Sequence, residues 1–360
     1  MRLLNPGPVT LSERVRRSML APDLCHRESE FFDLQDEARS RLLAVYGLDP
    51  AQWCVALLTA SGTGAVESMV STLVPQDGRV LVAENGVYGE RIAQICARYR
   101  ISSARMTGDW MQALDLAEIA RRIAGAPHDE GARFTHVAVV HHETTTGRLN
   151  ELRGLGELCR QHGVQLLVDA VSSFGAEPLD FADESLAAVA ATANKCLHGV
   201  PGVAFAIVRR RTLARAVSRT YYLDLTRCVA AQDRRDTPFT PAVQAYYALV
   251  EALREHAEQG GWAARHRRYA ALAEQARAGF ARLGIAPVLP PEESSVVLRS
   301  YQLPASISYA RLHDGLKARG FVIYAGQGNL SQKLFRISTM GDVAAADIDL
   351  LLECCGDLLQ

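Results

Sequence analysis

Short apolar runs alternate with helix-period stretches along most of the chain, and this alternation narrows the fold more than anything else in the sequence. "HVAVVHH" (136–142), "GVQLLVDA" (163–170) and "GVAFAIVRR" (202–210) read as strands. Between them lie helical patterns such as "ELRGLGELCRQHG" (151–163), which ends in the glycine expected just past a helix. Strands apolar at nearly every position have no wet face, so they imply an α/β fold with a largely parallel sheet covered on both sides. Ligands of such a sheet sit at the carboxyl ends of its strands. A long helix over about 241–259 is expected to stop at Gly260-Gly261, and a further helix then leads to strand-like "SSVVLRSYQL", "FVIYAG" and "KLFRIST". "SYARLHDGLKARG" is helical between them, and "LPPEE" near residue 290 reads as a surface turn. This tail predicts a second, smaller α/β domain. There is no internal repeat and no low-complexity linker.

Composition excludes several function classes. The 360 residues are 48% hydrophobic and 22% charged, as in an ordinary soluble globular chain, with a formal net charge of −1 that draws in neither nucleic acid nor an anionic membrane. No apolar run nears the roughly 18–20 residues of a membrane span, and "MRLLNPGPVT" lacks an apolar signal core, so the expected location is cytoplasmic. The eight cysteines show no zinc-ligand spacing and read as reduced, mostly buried thiols, so no metal is expected.

Of the 39 basic residues only Lys195, Lys317 and Lys333 are lysines. Lys195 lies between two strand-like runs in "ATANKCLHGVPG" (191–202), where Gly199, Pro201 and Gly202 bend the backbone tightly around it. It reads either as a surface lysine or as an amine that loses its proton and attacks a carbonyl, which a guanidinium cannot do. Asp169 closes the strand "VQLLV" and reads as a turn-capping aspartate or as the carboxylate partner of a pyridinium nitrogen. "LLTASGTGAVESMVSTL" is a strand, a small-residue turn and a helix. Its Ser61, Gly62, Thr63 and Gly64 form either a plain turn or an anion cradle, and the spacing matches neither a dinucleotide fingerprint nor a P-loop.

Nine ordered pieces carry a family resemblance: "NPGPV" (5–9), "CHRESEF" (25–31), "SGTGAVE" (61–67), "NGVYGER" (85–91), "HHETTTG" (141–147), "VDAVSSFG" (168–175), "ANKCLHGVPG" (193–202), "TPFTP" (237–241) and "FRISTMGD" (335–342). Over nearly its whole length the chain resembles a class V aminotransferase of the pyridoxal phosphate fold-type I group. The branch is that of the alanine:glyoxylate, serine:glyoxylate and 2-aminoethylphosphonate:pyruvate enzymes. "HHETTTG" and "NKCLHGVPG" are most similar to the aminoethylphosphonate enzymes, whereas "YAGQGNL" and His198 depart from their usual "YPGK" and Gln.

The resemblance implies a fold-type I transferase: a large domain (16–260) with a mostly parallel seven-stranded sheet, and a small domain built from 1–15 and 261–360. It implies pyridoxal 5'-phosphate as cofactor, Lys195 as its Schiff-base lysine and Asp169 as partner of the ring nitrogen. The cofactor-binding set would further hold Ser61, Gly62, Thr63, Tyr88 as a stacking ring, Val171 and Asn194. Thr145 falls at the position facing the phenolic oxygen, with Thr144 and Thr146 open as alternatives, and Thr240 would reach the cofactor of a neighbouring subunit in a homodimer. Arg336 would grip the substrate's phosphonate or carboxylate, with Pro6 and Gly7 beside it; read from its apolar strand alone, Arg336 must pair with an acid or meet an anionic ligand. The implied reaction is amino transfer between 2-aminoethylphosphonate and pyruvate, in either direction. The alternatives are alanine or serine:glyoxylate transamination and a lyase acting on a related aminophosphonate. A desulfurase would stack a His and carry a loop Cys, and a silent binding protein would have lost Lys195 or Asp169; neither pattern is present.

Overall fold

A computed structural model describes residues 1–125 and 133–360. Its centre is a seven-stranded sheet in the order Trp53–Ala60, Gly202–Arg209, Leu186–Thr192, Gln165–Asp169, His136–Val140, Arg79–Glu84 and Ser102–Thr107. Only Gly202–Arg209 runs antiparallel to its neighbours. The expected largely parallel, seven-stranded α/β architecture is therefore present.

The apolar runs are explained by what covers the two faces. Successive side chains of a strand point to opposite sides, and Val137 and Val139 enter one core cluster while Ala138 and Val140 enter another. Val55 and Leu57 divide from Cys54, Ala56 and Leu58 in the same way. Helix Val243–Glu258 contributes Leu249 and Leu253 to the first layer, and helix Gly62–Leu73 contributes Val66 and Met69 to the second. Each fully buried Val or Leu contributes about 1.5–3 kcal/mol of apolar transfer free energy, which opposes any slip of register. Helix Leu152–His162 ends as read: Gly163 takes the left-handed conformation at φ 66°, at little steric cost without a Cβ.

Beyond Gly260 (φ 93°) the chain enters helix Gly261–Arg282, so the break falls between two helices that are almost contiguous. An antiparallel sheet of Leu298–Gln302, Leu334–Ser338 and Tyr324–Ala325 packs with the final helix Ala345–Leu359. "FVIYAG" is not one strand. Phe321–Val322 pairs parallel with Arg2–Leu3, whereas Tyr324–Ala325 pairs with Leu334–Ser338, because the fully buried Ile323 separates two stretches with different partners. The first residues thus fold against the C-terminal part, and Leu4 belongs to its core.

Seven of the eight cysteines are buried, Cys25 is exposed, and none is paired. Among the described residues no helix is long and apolar enough to cross a membrane, and no His/Cys/Asp/Glu group could hold a metal ion.

Candidate active site

The parallel strands end on one rim of the sheet, and the residues following Ala60, Asp169 and Thr192 meet there. Ser61, Gly62, Thr63, Tyr88, Val171, Asn194 and Lys195 line a cleft of about 390 Å³. Pieces separated by more than a hundred residues are brought together because each follows a different strand of the same sheet.

At the first piece Ser61 caps helix Gly62–Leu73 without spending its side chain on a cap hydrogen bond. The early N–H groups of a helix have no intrahelical partner, so this end offers donors to an anion. Gly62 is required by close approach: a Cβ there would lie 2.7 Å from Val171 Cγ1.

Lys195 sits in the tight turn read from the sequence, where His198 N–H donates to the Lys195 carbonyl (2.9 Å) and Gly199 N–H to that of Ala193 (2.8 Å). Its amine donates to the Pro6 carbonyl. Gly7 lies directly against it, with φ 112° and space that a Cβ could not share, since that atom would fall 2.5 Å from Lys195 Nζ. Burial lowers the amine to about 8, the nearby Arg336 and Arg91 charges acting in the same direction. The neutral amine therefore dominates above about pH 8 instead of only above the ordinary lysine range. Capture of a carbonyl ligand by the apo-protein should accordingly rise with pH and level off above about 8. Stopped-flow absorbance between pH 6 and 10 measures this, and a midpoint near 10.5 would remove the premise of a desolvated amine.

Asp169 is the last residue of its strand. Its Oδ1 accepts from Val171 N–H (2.9 Å), and burial pushes the carboxyl up to about 7, against the hydrogen bond from Val171 and the charges of Arg91 and Lys195. A carboxyl poised near neutrality, with no ion pair among the described residues, is suited to a ligand that brings a positive charge.

Arg336 makes neither of the contacts that its strand suggested within the described residues. It is buried, and its hydrogen bonds end on neutral acceptors: Nε on the Ala325 carbonyl (2.8 Å), Nη1 on the Thr144 carbonyl (2.8 Å) and on Gln327 Oε1 (3.3 Å). It makes no ion pair among the described residues, and burial lowers its pKa. The nearby Glu143 opposes that lowering without touching the guanidinium.

The three threonines differ in what they touch. Thr144 gives its carbonyl to Arg336, the Thr145 hydroxyl faces Glu143 Oε1 (2.6 Å) and Gln327 Oε1 (3.3 Å) and accepts from Val87 N–H (3.1 Å), and the Thr146 hydroxyl is buried with no partner among the described residues. Thr240 does not line the cleft; it is exposed beside Tyr222 and Phe239, around a separate recess that shares Thr59 with it. His198 is buried at φ 66° and joins the lysine loop to the C-terminal part, its Nε2 facing Tyr269 Oη and accepting from Gly341 N–H at 2.9 Å.

Two residues escaped the sequence reading. Arg91 lines the cleft, donates to Thr63 Oγ1 (3.1 Å) and lies 4.7 Å from the Tyr88 ring centroid; its signal was its place three residues after Tyr88 on one helix face. Glu143, inside the quoted "HHETTTG", is fully buried with no ion pair among the described residues.

Residues 21–351 match the family model for class-V aminotransferases, and the chain belongs to that family. It is 35% identical to the 2-aminoethylphosphonate–pyruvate transaminase of Pseudomonas aeruginosa, covering 99% of this chain and 96% of the relative. The enzyme of the same name from Bacillus cytotoxicus is 34% identical, with 99% and 97% covered. Among solved structures, the alanine–glyoxylate aminotransferase of a Nostoc species superposes with a TM-score of 0.91 at 26% identity, covering 99% of this chain and 95% of that one. The pyridoxamine–pyruvate aminotransferase of Mesorhizobium loti gives 0.90 at 26%, covering 99% and 91%.

Proposed function

We propose that this protein is a pyridoxal 5'-phosphate-dependent aminotransferase that exchanges the amino group of 2-aminoethylphosphonate with pyruvate, forming phosphonoacetaldehyde and L-alanine, in either direction. The observation that carries the reading is a cleft that sets the Lys195 side chain beside the open start of helix Gly62–Leu73 and the Tyr88 ring, with the buried Asp169 charge acting on the lysine amine from the neighbouring strand end. The residues present fit the cofactor. Asp169 makes no ion pair among the described residues, Ser61 makes no side-chain cap bond at its helix start, and glycines stand where any side chain would collide with Lys195 or Val171.

When bound, the cofactor supplies an electron-accepting ring that stabilises the charge left on a substrate carbon after its C–H bond breaks. Asp169 keeps a proton on the ring nitrogen. Ser61, Gly62 and Thr63 hold the phosphate, Tyr88 and Val171 face the ring, and Asn194 and Thr145 complete the wall. Lys195 takes the proton from the substrate carbon and returns it elsewhere, acting as base and then acid; an amine near 8 is well matched to both tasks. Pro6 and Gly7 cover the lysine and exclude water. Arg336 binds the phosphonate of one substrate and the carboxylate of the other. We assign the large unit to 16–260 and the small one to 1–15 with 261–360, and a cytoplasmic homodimer in which Thr240 serves the partner's cofactor.

Arg336→Lys keeps the charge but loses the two-pronged geometry. Disrupting a buried charged contact costs about 2–5 kcal/mol, so kcat/KM should fall roughly 30-fold to several-thousand-fold for 2-aminoethylphosphonate and for pyruvate alike. Product analysis with a panel of donors against pyruvate and glyoxylate tests the substrate assignment. Should alanine or serine with glyoxylate be the faster pair by a wide margin, the phosphonate assignment falls and aminotransfer stands.

A further inference from the structure

Gly86 precedes helix Val87–Arg98 and has no side chain with which to cap it. The first N–H groups are satisfied from elsewhere in the chain. Val87 N–H donates to Thr145 Oγ1 (3.1 Å), while Tyr88 and Gly89 N–H donate to Glu143 Oε2 (3.1 and 3.3 Å). The other oxygen, Oε1, accepts from Thr145 N–H (3.1 Å) and from the Thr145 hydroxyl (2.6 Å). Two backbone N–H groups face one oxygen, and a backbone N–H and a hydroxyl face the other. These bonds favour the carboxylate, while burial, the larger effect, pushes Glu143 up. The positive end of the helix stands in for the missing cation. Space for the carboxylate exists only because residue 86 is glycine; a Cβ there would lie 2.3 Å from Glu143 Cδ.

We infer that Glu143 is a positioning residue: its carboxylate fixes the first turn of this helix, and with it the Tyr88 ring, against the threonine turn, so that the ring stands where the bound cofactor needs it. The inference rests on the proposed cofactor. The Thr145 hydroxyl links the two elements further, since it faces Glu143 Oε1 (2.6 Å) and Gln327 Oε1 (3.3 Å) as acceptors while accepting from Val87 N–H (3.1 Å). Glutamine replaces the carboxylate only imperfectly, because its NH₂ would face the Tyr88 and Gly89 N–H groups in one orientation and the Thr145 N–H in the other.

A double-mutant cycle tests this, with the dissociation constant for pyridoxal 5'-phosphate and the visible circular dichroism of the bound chromophore as readouts. In the native background Glu143→Gln should weaken cofactor binding roughly tenfold or more and change the dichroism. In a Tyr88→Ala background the same substitution should cost less than about threefold, since the ring it positions is gone. An equal loss in both backgrounds makes Glu143 a general stabilising residue and overturns the inference. If Glu143→Gln does not fold, Gly86→Ala takes its place in the cycle, displacing the carboxylate while keeping its charge, with the same two outcomes. A native protein that binds no cofactor fails the proposed function, and the inference with it; additivity in a protein that does bind fails the inference alone.

Discussion

Lys195→Ala should lower turnover by at least about 10⁴-fold, the upper range for losing a positioned acid–base group, and by more because the covalent anchor is lost too. The fold should survive. The side chain lines a cleft and its half-buried amine is partly desolvated, which opposes folding, so the melting temperature should stay within a few degrees of the native value. Borohydride reduction of the native protein followed by peptide mass spectrometry should place the cofactor on Lys195. Label on Lys317 or Lys333 would move the site elsewhere.

Asp169→Asn is expected to leave the cofactor bound and to slow proton abstraction by about 10³-fold, comparable to removing one preorganised electrostatic contact in an active site. The amide keeps the shape and can still accept from Val171 N–H, so the backbone turn after the strand should persist. What disappears is the negative charge that holds a proton on the ring nitrogen. Rapid-mixing absorbance on the variant measures the step, and a rate near the native one would reduce Asp169 to a capping residue.

The main features of the fold were legible because the strands are covered on both faces, which writes them as unbroken apolar runs. The division of "FVIYAG" was not, since it depends on which strands lie beside Phe321 and Tyr324, and Arg2–Leu3 comes from the other end of the chain. Lys195 and Asp169 stood out by residue type and by their place at strand ends. Glu143 could not, because its significance lies in its bonds to Tyr88 and Gly89, more than fifty residues away in sequence. The threonines 144–146 are likewise equivalent as letters and become distinct only through the direction each takes in the turn. Arg336 was readable as a charge needing an answer, and the fold gives its guanidinium neutral acceptors in direct contact, with Glu143 acting only from a distance.

The most direct test is a single half-reaction. Holoprotein mixed with 2-aminoethylphosphonate, with no oxo acid present, should convert its bound pyridoxal 5'-phosphate to pyridoxamine 5'-phosphate and release one phosphonoacetaldehyde per site; added pyruvate should restore the original absorbance and yield alanine. An unchanged spectrum with 2-aminoethylphosphonate, from protein that carries the cofactor on Lys195 and is converted by alanine or serine, would contradict the account.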